Sequence, residues 1–409
     1  MFYIREIKSR LHHAKRSISN KLYSFIQSAL DRYPRTYLGF ITVFAVIGFA
    51  YILLFPVLII TSLLNIHAAL TFNDALDWQT AAVWLLVTLV AGLVTYRASK
   101  VKAGTPAGLS LTEEKAPELF KLVRQFSTHF KKPVIHKIVI TGDYELDLVK
   151  TPKWPLPVWS TNTMVIGLPV LQSLAPKQFE CMMARRIGQF SKRDNLLTNW
   201  LYQLRKIWQQ YRQLYAKQKD FGIEPLKWFF AAYVPFYTAT STYAARRDEL
   251  NADTYAMGLY HDEEVREMVT ADAVCCSYIQ NQYWPAVYKI AAIDKKSLPT
   301  PHSKMASAVH ASLKGDRLSD LIEKVYEEKP SWNDPRPSLR DRIANIGHAK
   351  PRMEENTTGT TAAAHYLGAS MKSVITLIDK LWLQSYLQQR KQQRSKSQEN
   401  VLSEQISGV

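Results

Sequence analysis

Between Ala184 and Asp194 the chain reads ARRIGQFSKRD, and helical spacing puts Arg185 and Gln189 on one face with Arg186 beside them. A helix that carries a catalytic zinc ion uses the same spacing for two histidines, with a glutamate next to the first to deprotonate the zinc-bound water. Arginine has no lone pair to give and stays charged in a protein, so two guanidinium groups on that face remove the donors and repel a dication. The chemistry left to them is binding of carboxylates, which the planar guanidinium fork fits. No pair among the ten histidines has HxxxH spacing, so no second histidine pair replaces the missing one. The plain alternative is that Arg185, Arg186, Lys192 and Arg193 form a solvated basic helix face.

Other chemistry is sparse. The three cysteines, Cys181, Cys275 and Cys276, form no CxxC pair, which argues against a disulfide framework or a thiolate zinc site. There is no GxGxxG loop, no Walker-type loop and no nucleic-acid signature. A formal charge of +17 over 409 residues suits nucleic acid, anionic lipid or the inner side of a membrane. The basic residues cluster beside long apolar runs, which favours lipid and excludes nucleic acid as a partner.

Those runs bound the architecture. Tyr37 to Leu64 carries no charge and exceeds the length needed to cross a bilayer, and Thr80 to Tyr96 is uncharged up to Arg97, Lys100 and Lys102. Both read as transmembrane helices, with a buried core helix as the alternative. Residues 1–36 hold Arg5, Lys8, Arg10, Lys15, Arg16, Lys21, Arg32 and Arg35 against Glu6 and Asp31, whereas Asn65 to Gln79 has Asp74 and Asp77 and no cation. The positive-inside rule places both termini and the soluble part in the cytoplasm, at the inner membrane of a cell. Within the leader, Ile4, Ile7, Leu11, Ile18, Leu22, Phe25 and Ile26 recur at helical spacing, a basic amphipathic helix suited to anionic lipid headgroups or to packing on the membrane domain.

The expected order is a leader over 1–36, a two-span hairpin over 37–100, a soluble domain over 101–350 and a polar linker, amphipathic helix and disordered tail over 351–409. The soluble domain reads as α+β and mainly helical. Thr112 caps a helix, strands run over Val134 to Thr141 and Thr163 to Leu168, and a Pro- and Trp-rich loop lies between them. Leu226 to Tyr243 is apolar enough to skim or cross a membrane, although Lys227 and Pro235 weaken that reading.

The stretch from Leu168 to Leu197 resembles the active-site helix of the HtpX and CAAX prenyl endopeptidase family of membrane zinc metallopeptidases, which are gluzincins. Leu171, Leu174, Ala184, Gly188, Arg193 and Asp194 keep that family's frame. ARRDELNADTYA resembles the segment that donates the third zinc ligand, and RPSLRDRI (Arg336 to Ile343) resembles its closing motif. The resemblance covers Leu111 to Ala349 and implies a zincin-like domain behind a transmembrane hairpin. It implies that Arg185 and Gln189 stand at the two histidine positions, Arg186 at the general base, Glu249 at the third ligand with Asp253 as its neighbour, and Arg336 where histidine is usual.

The site so implied is degenerate, with no catalytic residue, no metal and no cofactor. Glu249 near two arginines predicts an ion-paired cluster in the place of a metal. The resemblance further implies that an extended peptide lies along the strand before the active-site helix, here Thr163, Met164, Val165 and Ile166. Arg185, Arg186 and Arg336 would bias that groove towards acidic segments or a free carboxylate, unless Lys153 to Trp159 plug it. The expected function is a membrane-anchored pseudoprotease that binds a protein partner or regulates a membrane assembly. The alternatives are a scaffold acting through anionic lipid, and a non-peptidase enzyme that uses an arginine-rich cavity.

Overall fold

The computed structural model describes residues 34–71, 78–100, 108–131, 134–152, 160–190, 196–218, 220–293, 299–329, 334–347, 349–355 and 359–407. Residues 1–33 of the leader, the loop over 153–159 and residues 192–194 lie outside them. Two apolar helices come first, α1 (Pro34–Thr71) and α2 (Trp78–Lys100). Both are long and apolar enough to cross a membrane. The first span continues beyond its expected end at Leu64, because no charge, Gly or Pro interrupts Asn65 to Thr71.

A small sheet follows, with β1 (Leu109–Leu111), α3 (Pro117–His129), β2 (Lys137–Thr141), β3 (Leu146–Pro152) and β4 (Ser160–Gly167). Thr112 makes no side-chain cap; it precedes one 3-10 turn, and the helix starts at Pro117, where a missing N–H costs nothing. The strand order is β1-β2-β4-β3, with β2 and β4 parallel and the outer pairs antiparallel. This overturns one expectation. Thr163 to Ile166, read as an exposed edge, lie in the interior strand β4 and are all buried, and the outer strand beside β4 is β3. An unbroken run such as Met164 to Ile166 is the mark of a strand covered on both faces.

The rest is helical: α4 (Leu168–Ser173), α5 (Pro176–Gln189), α6 (Leu196–Lys217), α7 (Glu224–Met257), α8 (Asp262–Tyr278), α9 (Trp284–Ile293), α10 (Pro301–Ser312), α11 (Gly315–Glu327), α12 (Leu339–Ile346), α13 (Ala362–Leu367) and α14 (Met371–Ser407). Leu226 to Tyr243 is the first half of α7, and among the described residues only α1 and α2 meet the length and hydropathy of a span.

Two apolar cores hold these elements. In one, Ile138, Ile140, Met164 and Ile166 of the sheet meet Leu119, Phe179 and Met183. In the other, Ile41 and Ala45 of α1 pack with Trp208 of α6 and with Phe230 and Tyr237 of α7. The apolar hairpin and the domain that follows therefore share a core instead of meeting at a linker. A Cβ on Gly48 would lie 2.8 Å from the Trp208 ring, so glycine is what lets α6 seat on α1.

The C-terminal part also departs from expectation. Ala362, Ala363, Tyr366 and Leu367 are buried in the first core, and the Ala362 amide donates to the Leu174 carbonyl at 2.8 Å. Residues 390–407, expected to be disordered, continue α14. The sequence from Met371 to Ser407 contains neither Gly nor Pro, and Gln, Lys, Arg and Glu are good helix formers.

Candidate functional site

Helix α5 delivers Arg185, Arg186 and Gln189 to one side of α7, which presents Asp248, Glu249 and Asp253 in return. The two helices approach closely at Gly188, where a Cβ would fall 2.5 Å from the Tyr255 Cβ. Arg185 bridges two carboxylates: its Nη2 donates to Glu249 Oε2 at 2.7 Å and its Nε to Asp253 Oδ1 at 2.6 Å. It also donates to the Glu249 carbonyl at 3.0 Å. Arg186 Nη1 donates to Glu249 Oε1 at 3.0 Å and to Gln189 Oε1 at 2.6 Å. Gln189 Nε2 in turn donates to Asp248 Oδ2 at 2.8 Å.

Further helices close the cluster. Tyr202 of α6 donates to Glu249 Oε1 at 2.8 Å. Arg342 of α12 grips Asp253 through Nε at 3.1 Å and Nη2 at 2.7 Å, and reaches Asp272 of α8 at 3.2 Å. Arg185, Glu249 and Asp253 are each at least 96 % buried. This is far from a solvated basic face. Charges at that depth persist only when paired and hydrogen-bonded, and here three guanidinium groups meet three carboxylates, with Asp248 as a fourth acid.

The electrostatics follow from this packing. Burial is the largest influence on Glu249 and pushes it up, but Arg186, Arg185 and Tyr202 together outweigh it and hold the carboxyl well below its ordinary range. Asp253 is likewise pushed up by burial and brought below its usual value by Arg342 and Arg185. Asp248 is different: burial raises it to about 7 despite the Gln189 hydrogen bond. Burial and the Glu249 charge push the Tyr202 hydroxyl well above its ordinary range.

Beside the cluster opens a cleft of about 1090 Å³, bordered by Leu146 and Asp147 of β3 and reaching Arg186, Cys276 and Arg336. Arg336 sits on its rim, largely exposed, and pairs with Asp334 at 3.3 Å instead of joining the buried group. The three arginines expected to bias the cleft towards acidic ligands already hold carboxylates of the chain itself. Arg185 and Arg186 are committed to Glu249 and Asp253, Arg336 to Asp334, and Lys206 pairs with Asp147 at the β3 side. Four arginines line the cleft, Arg185, Arg186, Arg336 and Arg342, and each is paired with a carboxylate among the described residues.

Both Glu249 oxygens accept strong hydrogen bonds, so the carboxylate is a weak base. Burial pushes the Cys276 thiol up to about 11, which leaves almost no thiolate near neutral pH. Among the described residues no three His, Cys, Asp or Glu side chains converge as a cation would need. The Glu249 and Asp253 oxygens that could ligate a cation already accept guanidinium and hydroxyl donors.

The sequence brought Arg185, Arg186, Gln189, Glu249 and Asp253 to one place, and the structure does the same. It leaves Arg336 outside and adds Tyr202, Asp248, Asp272 and Arg342. Arg342 stood in a recognised motif, while nothing in the sequence marks Tyr202 or Asp272. Comparison of the chain with protein-family models, with curated proteins and with solved structures gives no match.

Proposed function

We propose that the protein is a membrane-anchored, catalytically inactive relative of the HtpX and CAAX prenyl endopeptidases, in which an ion-pair cluster replaces the zinc site and the adjoining cleft binds a segment of a protein partner. One observation carries this reading. Arg185, at a position where that family has a histidine ligand, places its guanidinium between Glu249 and Asp253, and so joins α5 to α7 as a metal would. α1 and α2 are read as a hairpin with both ends in the cytoplasm, from the cation excess before α1 and the acidic link between the two helices.

With the outer-strand role moved from β4 to β3, the partner segment pairs with the β3 edge along Leu146 to Thr151, which needs neither metal nor an acidic ligand. A photocrosslinker at Lys150 or at Arg336 in membranes is the test, with Leu387 on α14 as the control. Capture of a common partner from the first two positions and not from the third supports the reading. Capture from Leu387 alone favours a scaffold that works away from the cleft.

A further inference from the structure

The first half of α1 has an apolar face that no described element covers. α7 runs antiparallel to α1 there: Tyr37 donates to the Thr240 carbonyl, Tyr233 to the Phe44 carbonyl at 2.7 Å, and Tyr51 stacks on Phe229 at 3.8 Å. α6 covers another side through Trp208 on Gly48. Left open are Phe40, Val43 and Ile47 of α1, joined through the Phe44–Phe236 ring contact of 5.0 Å to Phe236 and Trp228 of α7. Ala231 and Ala232 lie between the last two and are also exposed. Helix α6 shows the opposite character and turns Arg212, Gln213 and Lys217 outward.

Lipid does not fit this face if the hairpin crosses a membrane, the one point that rests on the function proposed above. The 38 residues of α1 extend about 57 Å, whereas a hydrocarbon core is about 30 Å thick. α2 ends in Arg97 and Lys100. Arg97 pairs at 3.6 Å with Asp220 in the α6–α7 turn, and Tyr51 hydrogen-bonds the Pro225 carbonyl at the start of α7. These contacts set the charged end of α2 level with Tyr51. Phe40 to Ile47 then lie on the water side of that level.

We propose that the chain's own leader, residues 1–33, folds back and packs the apolar side of its amphipathic sequence on this face. The leader joins α1 at Pro34, six positions before Phe40. Its Ile18, Leu22 and Phe25 fall at helical spacing with Lys15, Arg16 and Lys21 among them, and the uncharged face matches the leader's apolar side only. About 14 helical residues cover the roughly 21 Å from Tyr37 to Tyr51, so the leader is long enough. Docked this way, it completes a bundle with α1, α6 and α7 and turns its cations outward.

The test uses the full chain in membranes with Cys276→Ser as background. Ile18→Cys, Leu22→Cys and Phe25→Cys are each paired with Phe236→Cys and oxidised. An intramolecular disulfide from at least one pair is expected. With Phe236→Cys alone, a water-soluble maleimide should react about tenfold slower in the full chain than after deletion of residues 2–30, since a covered site reacts only on local opening. A disulfide between two chains through Phe236→Cys would assign the face to a second copy and overturn the proposal. Equal labelling in both chains, with lipid-borne quenchers reaching a fluorophore at 236, would assign it to the bilayer and do the same.

Discussion

Arg185 and Glu249 meet twice, through the side chain at 2.7 Å and through the Glu249 carbonyl at 3.0 Å, so one guanidinium fixes both the carboxylate and the backbone of the facing helix. Removing it leaves Glu249 and Asp253 buried and short of cations. Arg185→Met should therefore destabilise the fold by about 3 to 5 kcal/mol, the usual cost of breaking a buried pair from one side. The double change Arg185→Met with Glu249→Leu should cost less than the sum of the two single changes. Thermal unfolding of the detergent-solubilised protein measures both.

The acids of the cluster respond to pH with opposite signs. Glu249 and Asp253, held low in the folded chain, contribute stability that is present above the ordinary carboxylate range and is lost as pH falls through their folded values. Asp248, raised to about 7, does the reverse, since the native state keeps a proton that the unfolded chain gives up. Asn at 248 would keep the acceptor for Gln189 without the charge. Asp248→Asn should be nearly neutral at about pH 4, increasingly stabilising up to about pH 7 and constant above it, with a plateau on the order of 4 kcal/mol. A gain that does not change with pH would contradict this assignment.

Asp379 of α14 caps the start of α10. Its carboxylate accepts from the His302 amide at 2.8 Å, the Ser303 amide at 3.1 Å and the Ser303 hydroxyl at 2.6 Å. Asp379→Ala removes the acceptor of all three hydrogen bonds at once and should cost about 1 to 3 kcal/mol. The change should appear first as faster proteolysis within α14, while cleavage elsewhere stays slow.

The cluster was more legible in the sequence than the sheet around it. Arg185 and Gln189 share a helix face by spacing alone, and Glu249 and Asp253 repeat that spacing on a second helix, but that the two helices face each other was implied only by the resemblance to the HtpX and CAAX prenyl endopeptidase family. The interior place of β4 was not legible. It depends on β1, which has only three residues, and on β3, which mixes Asp147 and Lys150 with its apolar residues and whose end, Lys150 to Pro152, reads as the start of a loop. Tyr202 was hidden because it stands in no recognised motif and nothing in the sequence sets its helix against Glu249. The same holds for Asp379, a single acid in an amphipathic helix whose partners lie at the start of another.

The zinc content of the purified protein, beside that of the variant Arg185→His/Arg186→Glu/Gln189→His, tests the central claim most directly. The side chains at 185, 189 and 249 already converge, so the triple variant restores a His, His, Glu donor set and should carry about one zinc per chain by elemental analysis, lost on Glu249→Gln. The native sequence should carry none in stoichiometric amount and should leave casein intact. About one zinc per chain in the native protein, lost on Glu249→Gln, would contradict the account.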